Sequence, residues 1–244
     1  MQFYKLSHMK ASELISKYQT IWNKFNDSYI NKPTKVEDKK LLDRGFEFQF
    51  DEELTNVDIL FVGVNPSFRD GDPIVKGTYQ KPPNKPGYFR PFYKVSEDLK
   101  RTYDREVTWT HVDLLAVREP QQSYIENYLY QKKQGADFVT ESLAVAKEII
   151  AQYNPKVIVV PNLLGRELMS RNKKTLADGR VVGNWMECEF KFDEELGTER
   201  MIDAGNLNGV PVFFTGMFTG QKSIDRGTFQ RLVWHIETAL KQTK

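Results

Sequence analysis

The stretch VDILFVG, residues 57–63, is a short apolar run rich in branched side chains, and the turn residues Asn65 and Pro66 follow it. Such a run is typical of a strand buried on both faces of a parallel sheet. Three similar runs follow along the chain: WTHVDLL (109–115), KVIVV (156–160) and VPVFFTG (210–216). Helical patterns accompany them at 137–153, 163–170 and 228–240. Strands alternating with helices predict an α/β fold with three layers, α/β/α, around a central four-stranded, mostly parallel sheet.

The chain offers no convincing linker, so residues 1–244 are predicted to form a single domain. Its N-terminal segment, 1–50, is interpreted as helical, because apolar residues recur at helical spacing between about 12 and 26. The segment 171–208 interrupts the alternation of strands and helices. Its sequence GRVVGNWMECEFKFDEE alternates like a hairpin with a turn at Gly183-Asn184. We interpret this acidic segment as a peripheral insertion that would repel a phosphate backbone.

Composition and charge exclude several classes of protein. Hydrophobic residues make up 40% and charged residues 28% of the chain, which is a globular composition. The net charge of +2 is far from that of a strongly basic nucleic-acid binder. Any electrostatic attraction to a nucleic acid must therefore come from local basic patches. A single cysteine, Cys188, excludes an internal disulfide, a cysteine-rich zinc site and a four-cysteine iron–sulfur cluster. With no signal segment and no apolar run near 18 residues, we expect a cytoplasmic protein without a membrane partner.

Polar residues follow each of the four predicted strands. They are Asn65, Asp113, Asn162 and the segment 215–220. In open parallel sheets, ligands bind beyond the carboxyl ends of the strands, so these groups could converge on one site. The alternative is that Asn and Asp are common at strand ends because they cap turns and helices. For any one of these residues alone, that alternative is favoured.

The segment 81–101, KPPNKPGYFRPFYKVSEDLKR, is interpreted as a loop with six basic and two acidic residues interleaved with aromatic ones. Basic side chains suit contact with a phosphate backbone, and aromatic rings beside them suit stacking on a base that has left the DNA double helix. The alternative is a solvated loop whose aromatic residues pack on the protein. A second basic group, Lys222, Arg226 and Arg231, lies near the start of the final helix pattern, and helix N-termini attract phosphates.

Several short motifs occur in a specific order. Gly63-Val64-Asn65-Pro66-Ser67 is similar to a G-I-N-P-G motif, and Pro91-Phe92-Tyr93-Lys94 to R/H-F-W-K. HVDLLAVREP (111–120), YNPKVIVVPNLLGREL (153–168) and the closing Met217-Phe218-Thr219-Gly220 continue the series. Over about residues 57–240 the chain therefore resembles the uracil-DNA glycosylase superfamily, most closely its mismatch-specific uracil/thymine branch.

The resemblance implies a monofunctional DNA repair glycosylase that flips a uracil, or a related damaged or mismatched base, and hydrolyses its N-glycosidic bond. Asn65 would position the attacking water. The substrate-binding residues would be Gly63, Val64, Pro66, Ser67, Phe89, Phe92 and Asp113, with Tyr79 as a further candidate for stacking the base. The DNA-binding residues would be Lys94, Thr219, Gly220, Gln221, Lys222 and Arg226. The expected partner is DNA, no cofactor or metal is implied, and a nucleoid-associated monomer is expected.

Three positions depart from the family pattern. Met217 begins the closing motif, so the histidine that stabilises the uracil anion in the most active branches is absent. Phe218 replaces a proline, and Ser67 replaces the small glycine of the first motif. These departures imply a weak or divergent activity. They also leave two other interpretations open, namely a non-catalytic nucleic-acid-binding protein of the same fold and an enzyme that acts on free nucleosides or nucleotides.

Overall fold

A computed structural model describes residues 9–30, 41, 43–79, 87–129, 133–220 and 223–242. The helices are α1 (Ala11–Ile30), α2 (Arg90–Tyr103), α3 (Gln122–Leu129), α4 (Lys133–Tyr153), α5 (Leu163–Leu168) and α6 (Arg226–Gln242). The strands are β1 (Gly45–Gln49), β2 (Ile59–Gly63), β3 (Val75–Tyr79), β4 (Trp109–Asp113), β5 (Val157–Val160), β6 (Lys174–Thr175), β7 (Val181–Val182), β8 (Glu189–Asp193), β9 (Thr198–Ile202) and β10 (Pro211–Phe214). None of the helices in this part of the chain is long and apolar enough to cross a membrane.

The central sheet has the strand order β4-β2-β5-β10-β9-β8. β5 pairs in parallel with β2 on one side and with β10 on the other. The four strands expected from the sequence, β2, β4, β5 and β10, are neighbours in this sheet, and β2, β4 and β5 are buried along their whole length. An α/β fold with a mostly parallel central sheet is therefore confirmed.

The number of strands in the sheet was predicted wrongly, because the acidic segment 171–208 contributes two of them. β9 pairs antiparallel with β10, and β8 pairs antiparallel with β9, so the sheet has six strands instead of four. The turn predicted at Gly183-Asn184 is also wrong. The chain reverses instead near Gly179, between β6 and β7, and near Gly197, between β8 and β9. Both glycines have positive φ, +82° and +63°, which tight turns require and other residues rarely adopt.

The described chain divides into two compact units. The first unit consists of Met1–Leu54, Asn65–Gln80 and Asp113–Gln152, and the second of Thr55–Val64, Lys81–Val112 and Tyr153–Lys244. Each unit is discontinuous in sequence. The expectation of a single domain stays a prediction.

The first unit contains α1, the parallel pair of β1 and β3, α3 and nearly all of α4. The amphipathic helix expected near residues 12–26 is confirmed as α1, and its aromatic residues form the core. The Tyr18 ring lies 4.5 Å from that of Phe48, and the Phe25 ring lies 4.5 Å from that of Phe138. The segment 1–50 is not helical throughout, since β1 places Phe46 and Phe48 in this core.

Gly45 fixes the start of β1 beside β3. Its φ is +75°, and a Cβ at this position would lie 2.0 Å from the carbonyl oxygen of Val75. No side chain fits in that space, so the close approach of the two strands requires glycine.

The second unit contains the central sheet with α2, α5 and α6. The segment 90–101, expected to be part of a loop, is helical because Phe92, Val95 and Leu99 form a buried stripe. Pro91 lies in the first turn of α2, where a missing N–H costs little. The Phe92 ring stacks on that of Phe61 from β2, with centroids 4.6 Å apart.

Candidate active site

Asn65 lies two residues beyond the carboxyl end of β2 and belongs to the first unit. Its side-chain nitrogen donates hydrogen bonds to three carbonyl oxygens, those of Pro66 at 2.8 Å, Val117 at 3.1 Å and Glu119 at 2.7 Å. An amide group has two N–H protons, so the three acceptors share them. The amide plane is therefore fixed by the segment 117–119 as well as by its own chain neighbour.

The three carbonyl groups also determine which way the Asn65 amide faces. Only the nitrogen can face carbonyl oxygens, so the Oδ1 atom must point away from them. No described residue donates a hydrogen bond to Asn65 Oδ1, and the side chain is half-buried. An oriented acceptor of this kind can hold a water molecule by one of its protons, but an amide cannot remove that proton as a strong base would.

The chain around Asn65 is held by two arginines. The guanidinium groups of Arg44 and Arg118 lie 4.9 and 5.0 Å from the centroid of the Phe68 ring. Arg118 is buried, donates to the Pro73 carbonyl oxygen at 2.6 Å and pairs with Glu47 at 3.3 Å. Pro66 is buried and Ser67 is exposed. The loop after β2 is therefore fixed at both ends, while its Ser67 side faces solvent.

Asp113, the last residue of β4, is a buried carboxyl group in the first unit. The Tyr79 hydroxyl donates a hydrogen bond to its Oδ2 atom at 2.8 Å. Burial raises the pKa of Asp113 to about 7, and the bond from Tyr79 only partly offsets that rise. Tyr79 itself is half-buried at the end of β3. Burial and then the charges of Asp113 and Glu148 raise the pKa of the Tyr18 hydroxyl.

Gly63 and Val64 are placed in the second unit, at the carboxyl end of β2. From β2 the sheet continues to β4 on one side and through β5 to β10 on the other, so the strand order reverses between β2 and β5. Such a reversal is where open α/β sheets bind ligands. Gly165 of α5 packs closely here, since a Cβ on it would lie 3.0 Å from the Val160 side chain of β5 and 3.8 Å from that of Val64.

Phe89 and Phe92 are not placed as expected for residues that stack a base. Phe89 is 7% and Phe92 only 2% exposed, because both rings pack around the imidazole of His111 in the second unit. Neither ring therefore presents an exposed face, and the stacking of a base by one of Tyr79, Phe89 and Phe92 stays a prediction. Among the three candidate rings, Tyr79 is the one that is half-exposed.

His111 lies at the centre of this aromatic cluster. The imidazole is fully buried, and its Nε2 atom is 3.4 Å from the Tyr88 hydroxyl. Burial lowers the pKa of His111 to about 3, so the ring is neutral near pH 7. Its role in the second unit is that of a packed core residue.

Lys94 lies on an exposed, mainly basic face of α2. Its ammonium group is 5.5 Å from the centre of the Phe229 ring and pairs with Asp98 at 2.7 Å. Arg101 pairs with the same carboxylate at 2.7 Å. A cavity of about 550 Å³ runs along this face, lined by Arg90, Lys94, Glu97, Asp98 and Arg101.

The closing motif is held in place by Phe218, whose ring packs against Phe92 and Phe229. Thr219 is half-buried and Gly220 is exposed with a φ of +88°, whereas Gln221 and Lys222 lie outside the described residues. Arg226 is exposed at the start of α6.

Asp225 already caps the helix terminus that was expected to attract phosphate. Its carboxylate accepts from the N–H groups of Gly227 at 2.8 Å and Thr228 at 3.0 Å. The hydrogen bond from the Thr228 hydroxyl and then these backbone bonds lower the pKa of Asp225, so its negative charge occupies this end of α6. Asn162 has a similar capping role, since its Oδ1 accepts from Leu164 N–H at 2.8 Å.

Within the described ranges, no group of three His, Cys, Asp or Glu residues is arranged to hold a metal ion. The candidate site residues thus divide into two sets. Asn65, Tyr79 and Asp113 belong to the first unit, whereas Gly63, Val64, Lys94, Thr219, Gly220 and Arg226 belong to the second. These features define a class, an α/β protein with oriented polar groups after its strands. No protein-family model, curated protein or solved structure matches the chain.

Proposed function

We propose that the protein is a DNA glycosylase that hydrolyses the N-glycosidic bond of uracil or of a related damaged or mismatched base. Asn65 would hold the attacking water through its Oδ1 atom. Cleavage of this bond passes through a sugar with oxocarbenium character, which needs an oriented nucleophile more than a strong base. The type of reaction is inferred from the similarity of the residues around Asn65 to the glycosylase motif.

The orientation of the Asn65 amide is the observation that carries this proposal. A turn-forming asparagine would direct its Oδ1 atom to a nearby backbone N–H, as Asn162 does. Asn65 does the opposite, because its nitrogen is bound by three carbonyls and its oxygen has no donor among the described residues. An arrangement that fixes an amide and leaves its acceptor open suits a water-binding role.

Tyr79 and Asp113 support the same proposal. Tyr79 would stack the flipped base in place of Phe89 and Phe92, whose rings are buried. The Asp113 carboxyl, with a pKa near 7, belongs to the class of perturbed groups that active sites often contain. The exposed basic residues of α2 would contact the phosphate backbone, which attracts cations regardless of base sequence.

Strand scission after alkaline treatment tests the proposal directly. The purified chain is incubated with duplexes that contain U·G, T·G or hypoxanthine. We expect cleavage of at least one lesion, and a rate about 100-fold lower for Asn65→Ala, because the water loses its orientation. Asn23→Ala, which removes an exposed amide of α1, is the matched control and should retain the wild-type rate. Scission no higher than that of Asn65→Ala on every lesion would remove the proposal.

The burial of Phe89 and Phe92 favours a second candidate, a nucleic-acid-binding protein of this fold without the reaction. This candidate predicts DNA binding that weakens steeply with salt and is the same in wild-type protein and Asn65→Ala. Turnover of free nucleosides without DNA would instead point to the third interpretation, an enzyme that acts on small substrates.

A further inference from the structure

Glu119 connects the Asn65 amide to the rest of the first unit. Its backbone carbonyl accepts from Asn65 Nδ2 at 2.7 Å, and its backbone N–H donates to the Pro66 carbonyl at 3.1 Å. Pro66 in turn accepts from Asn65 Nδ2, so these three residues form a closed hydrogen-bonded ring. A shift of Glu119 would therefore change the direction of the Asn65 amide.

The Glu119 side chain is held in two places. Its Oε1 atom accepts from the Gln121 N–H at 2.8 Å, and its Oε2 atom forms an ion pair with Arg44 Nη1. The Glu119 side chain is only 7% exposed and the Arg44 side chain 19% exposed. Loss of either partner would leave a poorly hydrated charge, so this pair is more sensitive to substitution than a surface ion pair.

Arg44 reaches the site from the segment before β1 and contacts both chain segments that meet there. Its Nη1 atom also lies 3.3 Å from the Arg118 carbonyl oxygen, and its guanidinium covers the Phe68 ring. It therefore holds the segment 117–119, which supplies acceptors to Asn65, against the loop that carries Asn65.

We propose that the Arg44–Glu119 ion pair is the positioning device that sets the orientation of the Asn65 amide. Neither residue touches substrate or water in the reaction, so both act through Asn65. The catalytic meaning of this inference rests on the proposed glycosylase function, whereas the orientation of the amide can be measured without any activity. A group that must be held to within a fraction of an ångström needs support of this kind.

NMR of the Asn65 side-chain amide in the ¹⁵N-labelled full chain is the decisive measurement, with the resonance assigned by its loss in Asn65→Ala. In Glu119→Gln and Arg44→Met we expect the resonance to shift toward that of a free amide. Its hydrogen exchange should become roughly tenfold faster, the change that one lost hydrogen bond produces. Arg44→Lys, which retains the charge, should restore part of the wild-type exchange rate.

Lys24→Met is the matched control, because it breaks an exposed ion pair with Glu141 in the same unit and should leave the Asn65 resonance unchanged. An unchanged Asn65 resonance in both Glu119→Gln and Arg44→Met overturns the inference. So does an equal shift in Lys24→Met, which would indicate general loosening. The backbone amide spectrum shows whether each variant is folded. If Arg44→Met is unfolded, the Asn65 resonance in Glu119→Gln and Arg44→Lys tests the inference instead.

Activity separates this inference from the proposed function. If the wild-type protein cleaves a lesion, kcat of Glu119→Gln should fall by up to about 100-fold with little change in KM, because the water is misplaced while DNA binding is retained. A loss confined to KM would contradict the positioning role. If the wild-type protein cleaves nothing but the amide resonance still moves, the positioning role stands and the glycosylase proposal fails.

Discussion

Three carbonyl oxygens that face the side chain at position 65 favour an amide over the isosteric carboxylate. They approach the Asn65 nitrogen to within 2.7–3.1 Å, a distance at which a carboxylate oxygen would be repelled and could donate nothing. The choice of Asn over Asp at this position is therefore a property of the surrounding backbone. Because of these carbonyl groups, the substitution Asn65→Asp would not simply place a general base at this position.

Asn65→Asp should accordingly be less stable than Asn65→Ala. Alanine removes the hydrogen bonds but adds no repulsion, whereas aspartate places a negative oxygen against three carbonyls. We expect Asn65→Asp to lower the free energy of unfolding by roughly 1–3 kcal/mol at neutral pH, with a smaller loss for alanine. Urea denaturation of the two variants and the wild-type protein measures the order. A more stable Asn65→Asp would mean that the carbonyls do not face this side chain.

Position in the sequence identified Asn65 and Asp113 as candidates, because both follow apolar strand patterns. The orientation of the Asn65 amide could not be predicted, since its acceptors at Val117 and Glu119 are more than 50 residues away. The pairing of Arg44 with Glu119 could not be predicted from local sequence either, because the two residues are 75 positions apart. Burial of Phe89 and Phe92 follows from helix α2, whereas the sequence pattern at 81–101 predicts a loop.

At the scale of elements, the close approach of β1 and β3 depends on Gly45. Gly45→Ala places a Cβ against the Val75 carbonyl and requires an unfavourable positive φ. We expect a loss of about 2–4 kcal/mol in the free energy of unfolding from steric overlap and backbone strain together. Thermal denaturation measures this loss.

Gly77→Ala in β3 is the control for this substitution. A Cβ at Gly77 would meet no atom within 4 Å, and its φ is not in the left-handed region. We expect its stability to be within about 0.5 kcal/mol of wild type. Equal losses for the two substitutions would show that the space beside Gly45 does not set the separation of the strands.

Most core elements could be predicted because their apolar runs or stripes are continuous, as in β2, β5 and α4. Two missed elements did carry a signal. The alternating GFEFQF, residues 45–50, has the period of a strand, and Phe92, Val95 and Leu99 have that of a helix. β8 and β9 were different, because their charged residues obscured the pairing that places them at the sheet edge.

At the scale of the whole molecule, two buried groups of β4 should give opposite dependences of stability on pH. The pKa of Asp113 is raised from 3.8 to about 7 on folding, so its favourable contribution is full below 3.8 and is lost as pH rises to about 7. The pKa of His111 is lowered from 6.5 to about 3, so its contribution is full above 6.5 and is lost as pH falls toward 3. Between these limits the two effects oppose each other.

Single substitutions should separate the two contributions. The stability of Asp113→Asn relative to wild type should increase as pH rises from 3.8 to about 7, whereas that of His111→Gln should increase as pH falls from 6.5 toward 3. Denaturant unfolding at a series of pH values gives both differences. Curves parallel to wild type in either variant would show that the group titrates normally in the folded protein.

The interleaving of the two units along the chain has a consequence for synthesis. Translation delivers all of the first unit once Gln152 has emerged, but the second unit still lacks Tyr153–Lys244. β2 is synthesised about 100 residues before β5, its parallel partner, and about half of the first unit lies between the two strands in sequence. During that interval an apolar strand is exposed on the ribosome, and it is at this stage that the nascent chain should depend most on chaperones.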